Sequence, residues 1–93
     1  MTETNSFNFH TDAGHGWLAV KRQLLEELGC LNKITAYSYV RGGTLYLEED
    51  LDAGTFIAAY EAKYGRKPDV RELEQCDPSP IRSYKNWDVR GGA

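Results

Sequence analysis

TAYSYVRGGTLYLEE, residues 35–49, is the clearest local pattern in the chain. Two runs rich in tyrosine and aliphatic residues flank Gly42-Gly43, and a Gly-Gly pair suits the two-residue turn of a twisted β-hairpin. Counting outward from the turn gives five cross-strand pairs: Arg41–Thr44, Val40–Leu45, Tyr39–Tyr46, Ser38–Leu47 and Tyr37–Glu48. The stretch therefore predicts a hairpin with a defined register.

The predicted register divides the hairpin into two faces, because residues opposite each other share one side of a sheet. The side expected to cover a core consists of Ala36, Ser38, Val40, Leu45 and Leu47. The other side, which we call the tyrosine face, consists of Tyr37, Tyr39, Arg41, Thr44, Tyr46 and Glu48. The tyrosine face is free to meet water or a partner unless another part of the chain covers it.

A helix is predicted directly after this hairpin, over residues 53–64. Its apolar positions recur at helical spacing: Ala53, Phe56, Ile57, Tyr60 and Tyr64. Asp52 is the expected N-cap, and Gly65 is a suitable C-terminal stop. The acidic run Glu48, Glu49, Asp50 and Asp52 suits the positive end of the helix dipole, but it also suits a basic binding partner.

The remaining elements lie on both sides of this unit. Alternating or apolar runs predict strands over 6–10 and 17–20, followed by a helix over 21–28 that ends at Gly29. Asp69 and Glu72 have capping-box spacing, which predicts a short helical turn over 69–75. Ile81, Tyr84 and Trp87 predict a C-terminal arm or edge strand that docks on the body.

Together these elements predict an α+β fold in one domain, residues 1–93, with flexible ends at 1–5 and 90–93. The order is β-β-α-β-β-α plus the arm, and paired hairpins favour a small antiparallel sheet with helices on one face.

Composition limits the function classes. The chain has 14 acidic and 11 basic residues and a net charge of −3, whereas nucleic-acid binders usually carry a basic excess. No apolar run approaches the ~20 residues of a membrane span, and the polar start does not resemble a secretory signal. We therefore expect a cytoplasmic protein without direct nucleic-acid or membrane contact, in which Cys30 and Cys76 are reduced thiols.

The segment HTDAGHGW, residues 10–17, has the densest set of reactive groups. His10, Asp12 and His15 could supply two nitrogens and one carboxylate to a divalent metal, or could act in acid–base chemistry. Alternatively, these side chains hold the loop and orient Trp17, which is the favoured interpretation. Candidate nucleophiles for the histidines are Cys30, Ser38 or Ser79, but no signature supports one, so no cofactor and no enzymatic activity are predicted.

Three stretches carry a family resemblance: HTDAGHGWLAV, YSYVRGGTLYLEEDLDAGTF and SPIRSY. They resemble a family of small, mostly uncharacterised proteins of bacteriophages and other mobile elements. The resemblance assigns no residue a role. It implies a context in which small acidic proteins disable a host defence complex by binding it, as anti-CRISPR proteins do.

The predicted partner surface joins the tyrosine face to the acidic run: Tyr37, Tyr39, Arg41, Tyr46, Glu48, Glu49, Asp50 and Asp52. Tyrosine and arginine often dominate protein–protein binding energy, and carboxylates can replace nucleic-acid phosphates on a basic surface. The expected partner is a host protein complex, with a CRISPR effector as the leading example. The alternatives are a metal- or ligand-binding enzyme built on the HTDAGHGW segment, a stacking platform for single-stranded nucleic acid, and a homodimer through the tyrosine face.

Overall fold

The computed structural model describes residues 6–11, 14–74, 81 and 84–87. The predicted flexible ends, Asp12, Cys76 and Ser79 lie outside these described residues. The elements in chain order are β1 (Ser6–Thr11), β2 (Gly16–Lys21), α1 (Arg22–Glu27), a 3-10 turn (Leu31–Lys33), β3 (Tyr39–Arg41), β4 (Thr44–Glu48), α2 (Asp52–Tyr64), β5 (Asp69–Glu74) and β6 (Lys85–Asn86). The strands form one sheet in the order β5-β1-β2-β4-β3-β6.

The β3–β4 hairpin confirms the predicted turn and the first three pairs. Tyr39 pairs with Tyr46, and the glycine turn contains Gly42 at a φ of 60°, a left-handed value that favours glycine. The two outer pairs, Ser38–Leu47 and Tyr37–Glu48, are wrong. The chain leaves the β3–β4 ladder before Tyr39 and forms a turn. In this turn the N–H of Ser38 donates to the carbonyl of Thr35, and Thr35 donates to the carboxylate of Asp52.

The predicted N-terminal hairpin is also present, formed by β1 and β2. β2 continues the sheet on its other side by pairing with β4, where Leu18 faces Leu47 and Val20 faces Leu45. These aliphatic side chains are at most 1% exposed. The two hairpins therefore share one core face at the middle of the sheet.

The helical turn predicted over 69–75 is wrong, because residues 69–74 form β5. This strand pairs in parallel with the whole of β1, from Ser6–Asp69 to Thr11–Glu74. Pairing satisfies the backbone groups on the outer edge of β1, which outweighs a capping box of two side chains. The α+β class is confirmed, and the sheet is mixed because of this one parallel pair.

The core lies between the sheet and α2. Phe56 and Tyr60 of α2 meet the ring of Phe7 edge-on, with ring centroids 5.1 and 5.8 Å apart. Gly65 has a φ of 77° and ends the helix, as predicted. The predicted docking of the C-terminal segment is confirmed, since β6 pairs with β3 and Trp87 is 1% exposed.

Within the described residues, no helix is both long enough and apolar enough to cross a membrane. Cys30 is a buried free thiol, and its burial raises the pKa of that thiol.

Candidate functional site

Asp52 is the most thoroughly buried member of the predicted partner surface. It is 0% exposed, and its Oδ2 atom accepts hydrogen bonds from the backbone N–H of Thr35 at 3.0 Å and from Thr35 Oγ1 at 2.7 Å. The hydroxyl of Ser38 donates a third hydrogen bond to the same oxygen. Asp52 therefore does not belong with the exposed acids.

The prediction that Asp52 caps α2 is also wrong, because no side chain caps this helix and Leu51 holds the N-cap position. The side chain of Asp52 instead reaches back to the turn of residues 35–38. Ser38 extends the connection, since its hydroxyl also accepts a hydrogen bond from the N–H of Glu48 at 2.9 Å. The buried carboxylate of Asp52 thus ties the turn of residues 35–38 to the loop of residues 49–51 that precedes α2.

Glu48 shapes the loop that leads into α2. Its carboxylate accepts hydrogen bonds from the N–H groups of Asp50 at 2.7 Å and Leu51 at 2.9 Å. These two N–H groups precede the helix, where a negative charge is favourable. Glu48 therefore has a structural role, and its carboxylate oxygens are already occupied.

Four side chains on the two tied loops remain available, and we call them the paired-loop surface: Tyr37, Glu49, Asp50 and Leu51. Tyr37 is 72% exposed and Leu51 is 51% exposed, the largest fractions among the large hydrophobic side chains described. Glu49 and Asp50 are exposed, and neither carboxylate makes a hydrogen bond or ion pair within the described part of the chain. Two apolar groups and two free carboxylates therefore stand on one rigid pair of loops.

The other predicted contact residues are partly covered by the chain itself. The ring of Tyr84, next to β6, lies 5.2 Å from the ring of Tyr46, and the guanidinium carbon of Arg41 lies 5.0 Å from the centroid of Tyr84. Burial is the main cause that raises the pKa of Tyr46. Tyr39 is half-buried, with its ring 6.1 Å from that of Trp17. Tyr39, Arg41 and Tyr46 of the tyrosine face therefore contact aromatic rings of the chain itself, whereas Tyr37 of the same face is exposed.

The two histidines of the HTDAGHGW segment each contact an aromatic ring. His15 stacks on Trp17 at 5.9 Å with an angle of 17° between the rings, and His10 meets Tyr46 at 5.9 Å. Trp17 is only 3% exposed. No group of three metal-binding side chains occurs among the residues that the structure describes.

The described candidate nucleophiles are poorly suited to attack. Burial raises the pKa of the Cys30 thiol, which disfavours the reactive thiolate. The hydroxyl of Ser38 donates to Asp52 and accepts from Glu48, so its hydrogen bonds are used by the two tied loops.

A groove between β1 and β2 has no counterpart among the sequence predictions. The pairing between these strands ends at Phe9 and Leu18. Beyond this pair the strands diverge: residues 6–8 of β1 pair with β5, and residues 19–21 of β2 pair with β4. The gap opens into a groove of about 600 Å³. It is lined by Ser6, Phe7, Asn8, His10, Ala19, Lys21, Gln23, Leu24, Glu27, Thr44, Tyr46, Tyr60 and Tyr64.

The polar side chains of this groove are largely unused by the fold. Asn8, Lys21, Gln23 and Thr44 make no side-chain hydrogen bond or ion pair within the described residues. Lys21 and Glu27 give the walls one charge of each sign. Only His10 of the two histidines lines the groove, so the groove does not coincide with the predicted metal site.

The chain matches no protein-family model, no curated protein and no solved structure.

Proposed function

We propose that this chain is a non-catalytic mobile-element protein that binds a host defence complex in the cytoplasm and inhibits it, as anti-CRISPR proteins do. The observation that carries the proposal is the paired-loop surface, in which Tyr37 and Leu51 accompany the free carboxylates of Glu49 and Asp50. The resemblance of three sequence stretches to mobile-element proteins supplies the biological context.

The rigidity of the two loops supports a role in binding. Asp52 and Glu48 fix the loops before a partner arrives, with hydrogen bonds between 2.7 and 3.0 Å to Thr35, Asp50 and Leu51. A surface ordered in advance loses less conformational entropy when it binds. The exposed side chains of Tyr37 and Leu51 provide the apolar groups that tight interfaces usually contain.

The charge of the surface indicates the kind of partner. Glu49 and Asp50 are part of the chain's net charge of −3, so a basic nucleic-acid-binding surface is attracted at long range and a nucleic acid is repelled. Two carboxylates against arginine or lysine replace the phosphates that such a surface normally binds. Inhibition then follows from competition, and binding weakens as salt is added.

The test compares two double charge reversals in cells that carry an active CRISPR system and are infected with a targeted phage. The wild-type chain is expected to restore plaque formation. Glu49→Lys with Asp50→Lys places two positive charges against the basic surface and weakens binding about 100-fold. The double variant therefore no longer protects the phage from the CRISPR system, and plaques do not form. Gel-shift competition with the purified effector complex measures the same loss directly.

The control is Glu27→Lys with Glu61→Lys, which changes the net charge equally at exposed positions away from the paired loops. This control is expected to keep full protection. If both double variants protect equally, the paired-loop surface is not the contact. If the wild-type chain protects against no CRISPR class tested, the proposed target is wrong.

A second candidate function, binding of a small planar ligand, is favoured by the unused polar side chains of the groove. Pockets for such ligands span roughly 300–1,000 Å³, and a volume of about 600 Å³ lies within that range. Aromatic rings from Tyr46, Tyr60 and Tyr64 offer apolar walls, while Asn8 and Gln23 offer amide groups.

Titration of ¹⁵N-labelled protein with adenosine and with free tryptophan tests this second candidate. Binding in the groove would shift amide signals of β1 and β2, and Ala19→Leu, which adds bulk to the wall, would abolish the shifts. Ala58→Leu on the exposed side of α2 is the matched control. The absence of shifts with both probes, or shifts unaffected by Ala19→Leu, would exclude the groove as their site.

A further inference from the structure

The outer edge of β5 is an exposed strand edge within the described residues. Among the residues that the structure describes, β5 is the last strand of the sheet on its side and pairs only with β1. Its residues from Asp69 to Glu72 are all exposed, including Val70 at 47%. Val70, Tyr37 and Leu51 are the three large hydrophobic side chains that the described structure leaves exposed.

Exposed edges tend to pair with another strand, and proteins commonly prevent this with charged residues. Asp69 and Arg71 are such residues, but their charges have opposite sign and they lie on the same side of β5, two positions apart. Opposite charges on one side repel a second strand in some registers and attract it in another. The charge pattern therefore selects a register.

Two copies of β5 that pair antiparallel are related by a twofold axis perpendicular to the joint sheet. Residues that face each other must lie on the same side of that sheet, so the axis passes through a single residue position. An axis at Asp69 places Asp69 against its own copy, and an axis at Arg71 does the same for Arg71. Both registers oppose like charges.

An axis at Val70 is the complementary alternative. Val70 then faces Val70 of the second copy, which covers the exposed side chain. Asp69 faces Arg71 of the second copy, and symmetry repeats this pair on the other side of the axis. The register thus combines one apolar contact with two ion pairs.

We propose that the chain forms a homodimer by antiparallel pairing of β5 with β5 of a second copy, centred on Val70. The two six-stranded sheets become one continuous sheet. The contact is short, and Pro68 lacks the N–H group that would extend the ladder, so the dimer is weak and depends on concentration. The tyrosine face, which the sequence offered as a dimer contact, takes no part in it.

The test uses charge reversal with complementation, read by sedimentation velocity from about 10 μM to about 1 mM. In the Asp69→Lys variant, the new ammonium of each copy faces the Arg71 guanidinium of the other copy. In the Arg71→Glu variant, the new carboxylate of each copy faces the Asp69 carboxylate of the other copy. Each variant therefore has two like-charge pairs across the interface. Each variant alone is expected to dimerise about tenfold more weakly than the wild type, or weaker still. An equimolar mixture of the two pairs opposite charges again at both positions and is expected to form a heterodimer of wild-type affinity.

Matched controls reverse exposed charges away from β5, with Glu61→Lys and Lys33→Glu. Each is expected to dimerise like the wild type, and ¹⁵N spectra of all variants establish that they are folded. A wild-type chain that stays monomeric to about 1 mM overturns the proposal. So does a mixture that associates no better than its two components, or a dimer that Tyr39→Ala dissociates while Asp69→Lys does not.

Discussion

The loops tied by Asp52 and the strands that border the groove use their polar side chains in opposite ways. At the tied loops, Thr35, Ser38, Glu48 and Asp52 donate or accept hydrogen bonds between 2.5 and 3.2 Å. At the groove, Asn8, Lys21, Gln23 and Thr44 make no such bonds within the described chain. Side chains used by the fold maintain shape, and side chains left over are the ones available to a partner or ligand.

The largest effect should come from removing the centre of the tied loops. Asp52→Ala leaves the hydroxyls of Thr35 and Ser38 and the N–H of Thr35 without their acceptor, so the free energy of unfolding should fall by about 3 kcal/mol. Urea denaturation measures this change.

Asp50→Ala is the matched control, because it removes an exposed carboxylate two residues away and should change the free energy by less than about 0.5 kcal/mol. Equal effects of Asp52→Ala and Asp50→Ala would show that the buried hydrogen bonds contribute nothing measurable.

An intermediate loss of stability should occur for a threonine of the tied loops, Thr35, but not for a threonine of the groove, Thr44. Thr35→Val removes a hydroxyl that donates to Asp52 and accepts from the N–H of Tyr37, so it should cost about 1–2 kcal/mol of unfolding free energy.

Thr44→Val makes the same substitution at the groove and should stay within about 0.5 kcal/mol, because the fold does not use that hydroxyl. Thermal and urea denaturation of both variants provide the measurement. A cost at Thr44 equal to that at Thr35 would remove the distinction between the regions.

The smallest effect concerns pH at the wall of the groove. Burial raises the pKa of Tyr46 above its usual value of 10.0, so the unfolded chain loses this proton before the folded protein does. The contribution to stability is therefore complete below pH 10 and is lost as the pH rises above it.

Tyr46→Phe should lose less stability than the wild type between neutral pH and the alkaline range, as measured by urea denaturation at each pH. Tyr37→Phe, on a ring that is 72% exposed, is the matched control for loss of a phenol. An identical alkaline loss in the wild type and Tyr46→Phe would contradict the assignment.

Local patterns predicted the elements whose contacts are local. The Gly42-Gly43 turn and the alternation around it correctly predicted the pairing of Tyr39 with Tyr46, since a two-residue turn sets the register by itself. The apolar spacing from Ala53 to Tyr64 similarly located α2. These patterns need no information about the rest of the chain.

Contacts between distant residues were beyond such patterns. β5 carried a local helix signal, and only the backbone of β1 makes it a strand. Asp52 looked like an N-cap because its distinguishing partners, Thr35 and Ser38, precede it by 17 and 14 residues. The groove exists because β1 pairs with β5 and β2 pairs with β4 where the two strands diverge. Local sequence patterns do not predict which strands pair.

The parallel pairing of β1 with β5 has a consequence for the order in which the molecule forms. The first described strand is made first by the ribosome, yet its full-length partner is synthesised only after α2. Contacts between such distant segments form slowly, because a long loop must close before they are gained. The middle of the chain can fold while synthesis continues, and the β1 side of the sheet is completed only when β5 reaches β1.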